Sequence, residues 1–330
     1  MVKPLLFTRE ELEAAVQTVR QAVPPTSQYC WPLLAERYGC EVWVKHENHT
    51  PTGAFKVRGG LTYLEELAAA GLPPGLVTAT RGNHGQSIPF AAARYGVPVT
   101  VVVPEGNSVD KNRAMRSWGA EVLTHGRDFD EARAAAGALA EERRLVLVPS
   151  FHPALVRGVA TYALELFNAI ADVDTVYVPI GMGSGICAVI TVRDLLGLDT
   201  EVVGVTAAGT PAYAESFRAR APRPQARADT FADGVACRDP DAAALEIILA
   251  GAARVLSVTD AEIAEAMRVL FTDTHNIAEG AGAAALAGLA REQEAQRGKR
   301  VAVILCGGNV DAAVFTAILQ GAAGGPGSPA

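Results

Sequence analysis

Apolar residues in this 330-residue chain cluster in short, nearly continuous runs. Between the runs they recur every three or four positions, so the pattern switches between strand and helix periods. The runs at 76–80, 97–103, 175–179, 202–205 and 301–305 are rich in β-branched residues and read as strands covered on both faces. Shorter strands are expected at 41–45, 121–123 and 145–148. Thr8-Arg9-Glu10-Glu11 and Thr259-Asp260-Ala261-Glu262 are capping boxes, in which a threonine hydroxyl and a glutamate satisfy each other's backbone N–H. They predict helices over 9–21 and from 260 to about 271. Further helices are expected after the turns at 53–56 and 82–87, between the strands at 97–103 and 121–123, and over 129–143, 158–171, 185–196, 280–296 and 310–319. Segment 26–40 carries no clear period and is expected to be irregular. Strands alternating with helices imply parallel sheets with helices on both faces. No fixed-period repeat is present.

Composition narrows the classes. Hydrophobic residues are 49% and charged residues 20%, enough for a large core. A net charge of −7 leaves no electrostatic footprint for nucleic acid or anionic lipid. No apolar run is long enough to span a bilayer, and the start lacks the h-region of a signal peptide, so no membrane partner is expected. The five cysteines form no C-x-x-C pair, and a reduced, cytoplasmic compartment fits them best. Residues 321–330, all Gly, Ala, Pro and Ser, are expected to be a disordered tail, with no effector-binding extension beyond it.

Candidate chemistry sits at strand ends. After the strand at 41–45 comes a turn containing Pro51-Thr52-Gly53-Ala54-Phe55-Lys56, and Lys56 opens a helix. The positive end of a helix disfavours a cation, and desolvation would lower the lysine pKa further, leaving a nucleophilic amine. Gly181-Met182-Gly183-Ser184-Gly185 lies between a strand and a helix, where free N–H groups receive anions. It lacks the Gly-Lys-Ser/Thr ending of a P-loop and the glycine spacing of a dinucleotide fingerprint. Taken alone it suits a phosphate or a merely tight turn. Cys306-Gly307-Gly308-Asn309 repeats the arrangement at a third strand end, with a thiol that can face a heterocyclic nitrogen. Lysine, phosphate turn and small polar group together are what pyridoxal phosphate requires.

These motifs resemble those of the tryptophan-synthase-β-like (fold type II) pyridoxal phosphate enzymes, on the serine/threonine dehydratase branch. The matching stretches are Pro51 to Gly59, Gly82-Asn83-His84-Gly85-Gln86, the 181–185 turn, Thr230-Phe231-Ala232-Asp233-Gly234, Glu279-Gly280-Ala281-Gly282-Ala283 and Cys306 to Asn309. They run in family order over roughly residues 26 to 315. The resemblance implies an α/β fold of two open, mainly parallel twisted sheets covered by helices. It further implies a large domain from 1–49 and 154–320 and a small inserted domain over 50–153; a homodimer is the default expectation. Pyridoxal 5′-phosphate would be bound through Lys56 as a Schiff base, with Phe55 against the ring and Asn83 on the ring 3′ oxygen. Gly181, Met182, Gly183, Ser184 and Gly185 would hold the phosphate, Cys306 would face the ring nitrogen, and Glu279 would lie near the cofactor. Substrate would be received by Thr80, Gly82, Asn83 and His84, with the Gly234 backbone nearby.

A thiol cannot keep the ring nitrogen protonated as a carboxylate would, so a long-lived carbanion is disfavoured and early loss of a β-substituent is favoured. The expected activity is therefore a lyase reaction, dehydrating and deaminating a β-hydroxy-α-amino acid to a 2-oxo acid and ammonia. L-Threonine and L-serine are the first expectation; a bulkier substrate such as phenylserine or 3-hydroxyaspartate is the alternative. Arg81 departs from the family, whose members usually carry a serine there; the family's serine racemases use that hydroxyl as an acid/base, so racemisation is not expected here. Arg81 is a candidate for binding a substrate carboxylate or an unusual side chain, or else a salt bridge at the cleft rim. No metal site is expected, because after 202–205 no carboxylate appears before Glu215. His46 and His49 could share a strand-end site or simply pack, and His152 and His275 are expected to flank helices. A nicotinamide-dependent oxidoreductase and a non-catalytic binding protein are the readings from other classes.

Overall fold

The computed structural model describes residues 5–322, in which ten strands form two sheets. The strands are β1 (Gln28–Cys30), β2 (Glu41–His46), β3 (Leu76–Ala79), β4 (Val99–Val103), β5 (Glu121–Thr124), β6 (Val146–Leu147), β7 (Thr175–Pro179), β8 (Glu201–Ala207), β9 (Arg254–Val258) and β10 (Arg300–Leu305). The larger sheet runs β1-β2-β10-β7-β8-β9 and the smaller β5-β4-β3-β6. Every pairing is parallel except β1 with β2. Neighbouring positions on both faces, Val176-Tyr177-Val178, Val202-Val203 and Val301-Ala302-Val303, are buried, which is why these strands read as unbroken apolar runs and not as alternation.

The strand order positions the site. β10, last in sequence, lies between β2 and β7, with Leu305 opposite His46 and Val303 opposite Tyr177. The chain leaving β2 toward Lys56, the thiol after β10 and the glycine turn after β7 therefore emerge side by side at the carboxyl ends of parallel strands. Helix Gly280–Arg291 packs on this sheet and is made almost wholly of Gly, Ala and Leu. The lack of side chain brings its start close to the 307 turn: a Cβ on Gly282 would lie 2.2 Å from the Gly307 oxygen.

Segment 26–40 is not irregular. It contains β1 and a helix, Pro32–Tyr38, that starts on proline and ends on Gly39 with φ of 67°. Helix 158–171 begins earlier, at Pro153, and ends at Ala169; helix 280–296 ends at Arg291 and gives way to a tighter turn, Gln293–Gln296. The expected tail splits. Gly321 and Ala322 donate hydrogen bonds to the Ile318 and Ala317 oxygens as the end of the last helix, and 323–330 lie outside the described residues. Among the described residues no helix is long and apolar enough to cross a membrane.

Candidate active site

Lys56 is placed by backbone pairing, not by a capping side chain. The Phe55 N–H donates to the Cys306 oxygen at 3.0 Å, Gly308 donates to Gly53 at 2.9 Å, and Ala54 bridges Gly307. The turn before the lysine is thereby zipped to the end of β10. Lys56 then starts helix Lys56–Ala70, and its carbonyl accepts from the Ser87 hydroxyl at 2.6 Å. Its Nζ lies 4.9 Å from the centroid of the Phe55 ring, which in turn meets Tyr162 edge-on. Burial pushes the Lys56 ammonium below the usual lysine range, against the opposing pull of Cys306 and Glu279. Burial, then the Glu279 charge, pushes the Cys306 thiol up, so it stays protonated.

The glycine turn follows β7 and starts helix Ser184–Leu195. None of the N–H groups of 181–185 has a hydrogen-bond acceptor among the described residues. A Cβ on Gly181 would stand 2.2 Å from the Gly234 oxygen, so the 181 and 234 turns touch through bare backbone. Five free amides at a helix start, with no side chain at Gly181, Gly183 or Gly185, form a cradle for an anion.

The third wall comes from β3. Thr80 accepts the Gly82 N–H on its hydroxyl at 2.9 Å, bending the chain into helix Asn83–Ala92. Asn83 donates from Nδ2 to Glu279 Oε1 at 2.5 Å and accepts from Asn309 Nδ2 at 2.8 Å. The Asn83 and His84 N–H groups have no acceptor among the described residues. His84 is buried, its Nε2 is without a partner, and burial followed by the Lys56 charge pushes its pKa down to about 3. Neutral imidazole therefore faces the site.

These walls enclose a cavity of about 700 Å³ lined by Lys56, Thr80, Arg81, Gly82, Asn83, His84, Gly181, Met182, Gly234 and Glu279. That size suits a small-molecule site. The structure thus brings together the lysine, both turns and the β3 end. Gly183, Ser184, Gly185, Phe55 and Cys306 stand behind this lining, buried. Arg81 lines the cavity and also makes the expected ion pair, from Nη1 to Asp233 Oδ1 at 3.1 Å.

Several lining residues are not marked as site members by the sequence, and two of them, Lys111 and Asp233, ion-pair with Glu279 and Arg81. Lys111 lies in the polar helix Val109–Ser117, with its side chain 9% exposed. Its Nζ is 3.3 Å from Asp233 Oδ2 and 3.4 Å from Glu279 Oε2. Burial opposes its charge, yet the two carboxylates hold its ammonium above the usual lysine range. Met115, buried one turn on, was the available signal that this face of the helix points inward. Asp233 lay inside a matched motif but was given no role of its own. The histidines outside the site behave as packing groups. His46 stacks on His49 at 4.9 Å, accepts from Trp31 Nε1 at 3.1 Å, and is pushed down to about 4 by burial. His152 caps helix Pro153–Ala169, and His275 ends helix Asp260–Thr274.

Residues 19–307 match the sequence profile of the family described as pyridoxal-phosphate dependent enzyme. L-threonine ammonia-lyase of Thermotoga maritima is 32% identical over 317 residues, which cover 96% of this chain and 79% of that protein. L-threonine ammonia-lyase of Geobacter sulfurreducens is 34% identical over 310 residues, 94% of this chain and 77% of that one. Among solved structures, the processed form of threonine deaminase isoform 2 from Solanum lycopersicum superposes with a TM-score of 0.87 at 26% identity, covering 97% of this chain and 96% of that one.

Proposed function

The chain belongs to the pyridoxal-phosphate dependent enzyme family, and from that premise we propose that it is an ammonia-lyase acting on β-hydroxy-α-amino acids. L-Threonine and L-serine are dehydrated and deaminated to the 2-oxo acid and ammonia. The observation that carries this reading is the buried, cavity-lining Lys56, whose amine is biased toward neutrality, facing a turn with five unpaired amides.

The residues fit the cofactor. Lys56 would hold it covalently, the amides of 181–185 its phosphate, Asn83 the ring oxygen and Cys306 the ring nitrogen, with Phe55 behind and Glu279 fixing Asn83. Pyridoxal phosphate, when bound, supplies an aldehyde that condenses with amines and a conjugated ring that draws charge from Cα as its proton leaves. Lys56, desolvated and with its hold on a proton weakened by burial, takes that proton on Nζ. The free N–H groups of Asn83 and His84, at a helix start, orient the substrate carboxylate. The Cys306 thiol, kept protonated by burial, adds no charge at the far side of the site. That neutrality favours elimination of the β-hydroxyl over a lasting negative charge on the substrate.

In this reading 50–153 moves as a small unit against 1–49 and 154–320, and its closure excludes water. Arg81–Asp233 and Arg238–Asp130 are ion pairs that would span the cleft. A cytoplasmic homodimer completes the proposal. All five cysteines being free thiols supports the reducing compartment, and Tyr29 and Leu33, each about half exposed beside the edge strand β1, are suited to a subunit contact.

The test is direct. Purified protein should be yellow, borohydride should bleach it by reducing the imine to a stable link between cofactor and Lys56, and L-threonine should yield 2-oxobutanoate. Lys56→Ala should abolish the product. A colourless protein with no 2-oxo acid release from threonine or serine would end this reading.

A further inference from the structure

Arg81 uses only part of its guanidinium. Nη1 donates to Asp233, while Nε and Nη2 have no partner among the described residues. The side chain is 39% exposed and lines the cavity, so the unused edge is open to whatever enters. That edge is a planar pair of donors, the geometry that takes a carboxylate through two parallel hydrogen bonds. Lys111 adds a second cation in the same wall. Its ammonium and the Arg81 guanidinium grip the two oxygens of one carboxylate, Asp233, at 3.3 and 3.1 Å. Both cations thus already bind carboxylate oxygens, and the Nε–Nη2 edge of Arg81 is the donor pair that Asp233 leaves open.

Threonine and serine offer it nothing. Their single carboxylate is accounted for by the amides of Asn83 and His84, and the β-carbon carries only a hydroxyl with a methyl or hydrogen. Once such a substrate displaces water, the open guanidinium edge loses its hydration and gains no acceptor. Polar sites left unpaired in this way discriminate strongly against the substrate that fails to fill them. A substrate with a carboxylate on the β-carbon would fill it.

We propose that Arg81, supported by Lys111, is a specificity-determining residue for an anionic β-substituent, and that the site dehydrates 3-hydroxyaspartate in preference to threonine. This rests on the ammonia-lyase reading. The reaction balances without an oxidant. Cα loses its hydrogen and Cβ its hydroxyl as water; one water returns when the unsaturated amine hydrolyses. 3-Hydroxyaspartate thus leaves as oxaloacetate and ammonia.

The experiment measures kcat/KM of the holoenzyme for L-threonine, 3-hydroxyaspartate and phenylserine by 2-oxo acid release, then repeats it with Arg81→Gln and Arg81→Lys. Wild type should prefer 3-hydroxyaspartate over threonine by at least about 10-fold. Arg81→Gln should cut that ratio by about 10- to 100-fold, the loss of charge-assisted hydrogen bonds, mostly through a higher KM for the dicarboxylate. Arg81→Lys, keeping the charge without the fork, should restore part of it, and it replaces Gln if that variant loses its cofactor absorbance. A wild-type enzyme that prefers threonine or phenylserine, or a ratio unmoved by Arg81→Gln, overturns the selector while the lyase stands. Release of no 2-oxo acid from any of the three overturns both.

Discussion

Asn83 and Glu279, 196 residues apart in sequence, share a 2.5 Å hydrogen bond from amide to carboxylate. It ties the end of β3, in the smaller sheet, to the helix that lies on the larger one. Glu279 is 5% exposed and also faces the Lys111 ammonium at 3.4 Å. Glu279→Ala would take the acceptor from a half-buried amide and leave the buried Lys111 ammonium to Asp233 alone. Removing one partner of a buried pair costs on the order of 3 kcal/mol. An unfolding free energy lowered by that amount, read from a lower urea midpoint at unchanged slope, is the expected result, together with faster loss of cofactor on dialysis. A shift below about 0.5 kcal/mol, typical of a surface change, would mean the bond holds nothing together.

His84 makes the stability depend on acid. Burial and the Lys56 charge depress its pKa to about 3, whereas an unfolded histidine titrates near 6.5. Between those values the unfolded chain binds a proton that the folded chain refuses, so stability falls as pH drops from 6.5 toward 3. Above 6.5 the residue imposes no penalty. The full effect is bounded at roughly 4–5 kcal/mol, from about 1.4 kcal/mol per pH unit. His46, also depressed by burial, acts in the same direction. The measurement is thus a difference: His84→Gln should unfold less steeply than wild type between pH 6 and pH 4, and the two curves should run parallel above pH 7.

What could be read from sequence followed from how local each signal is. The run Val99–Val103 was legible because a strand buried on both faces needs no partner to announce itself. Thr8 and Thr259 were legible because a capping box is complete within four residues, and both boxes form. The lysine, the 181–185 turn and the thiol were legible as motifs at strand ends. β1 was not, because three residues become a strand only by pairing with β2. Helix Pro32–Tyr38 did carry its signals, a proline at the start and a glycine after the end, inside a stretch with no apolar period. Helices Ala212–Ala219 and Ala242–Gly251 and strand β9 went unassigned. Lys111 and Asp233 become a pair only when folding closes 122 residues of chain, and no spacing rule reports that.

Gly181 sets the distance between two turns. A methyl group there would meet the Gly234 oxygen at 2.2 Å, well inside contact distance. Because both atoms are held by backbone, the turns must move apart, and the amides of 181–185 would lose their common direction. Gly181→Ala should therefore raise the dissociation constant for the cofactor at least about 10-fold, or about 1.4 kcal/mol. Titrating the apo variant with pyridoxal phosphate by absorbance gives the number. Wild-type affinity in the variant would show that the cradle does not depend on this contact.

Arg58, two residues beyond Lys56, is fully buried and has an acceptor on every nitrogen of its guanidinium. It bonds both oxygens of Glu47 at 2.8 and 2.9 Å, both oxygens of Glu165 at 2.8 and 2.9 Å, and the Thr161 hydroxyl at 2.9 Å. Lys45, also buried, adds a second cation on Glu165 at 2.7 Å. The lysine-bearing helix is thus pinned to the segment after β2 and to helix Pro153–Ala169 at once. Arg58→Lys keeps the charge but cannot span two carboxylates, because an ammonium lacks the planar fork. It should cost on the order of 2 kcal/mol, one or two charge-assisted hydrogen bonds. Arg58→Ala leaves Lys45 on Glu165 and strips the buried Glu47 of its ion-pair partner, and should cost about 4 kcal/mol or more. The ordering Ala worse than Lys worse than wild type, read from urea midpoints, tests the network. Equal losses for both variants would mean that geometry contributes nothing beyond charge.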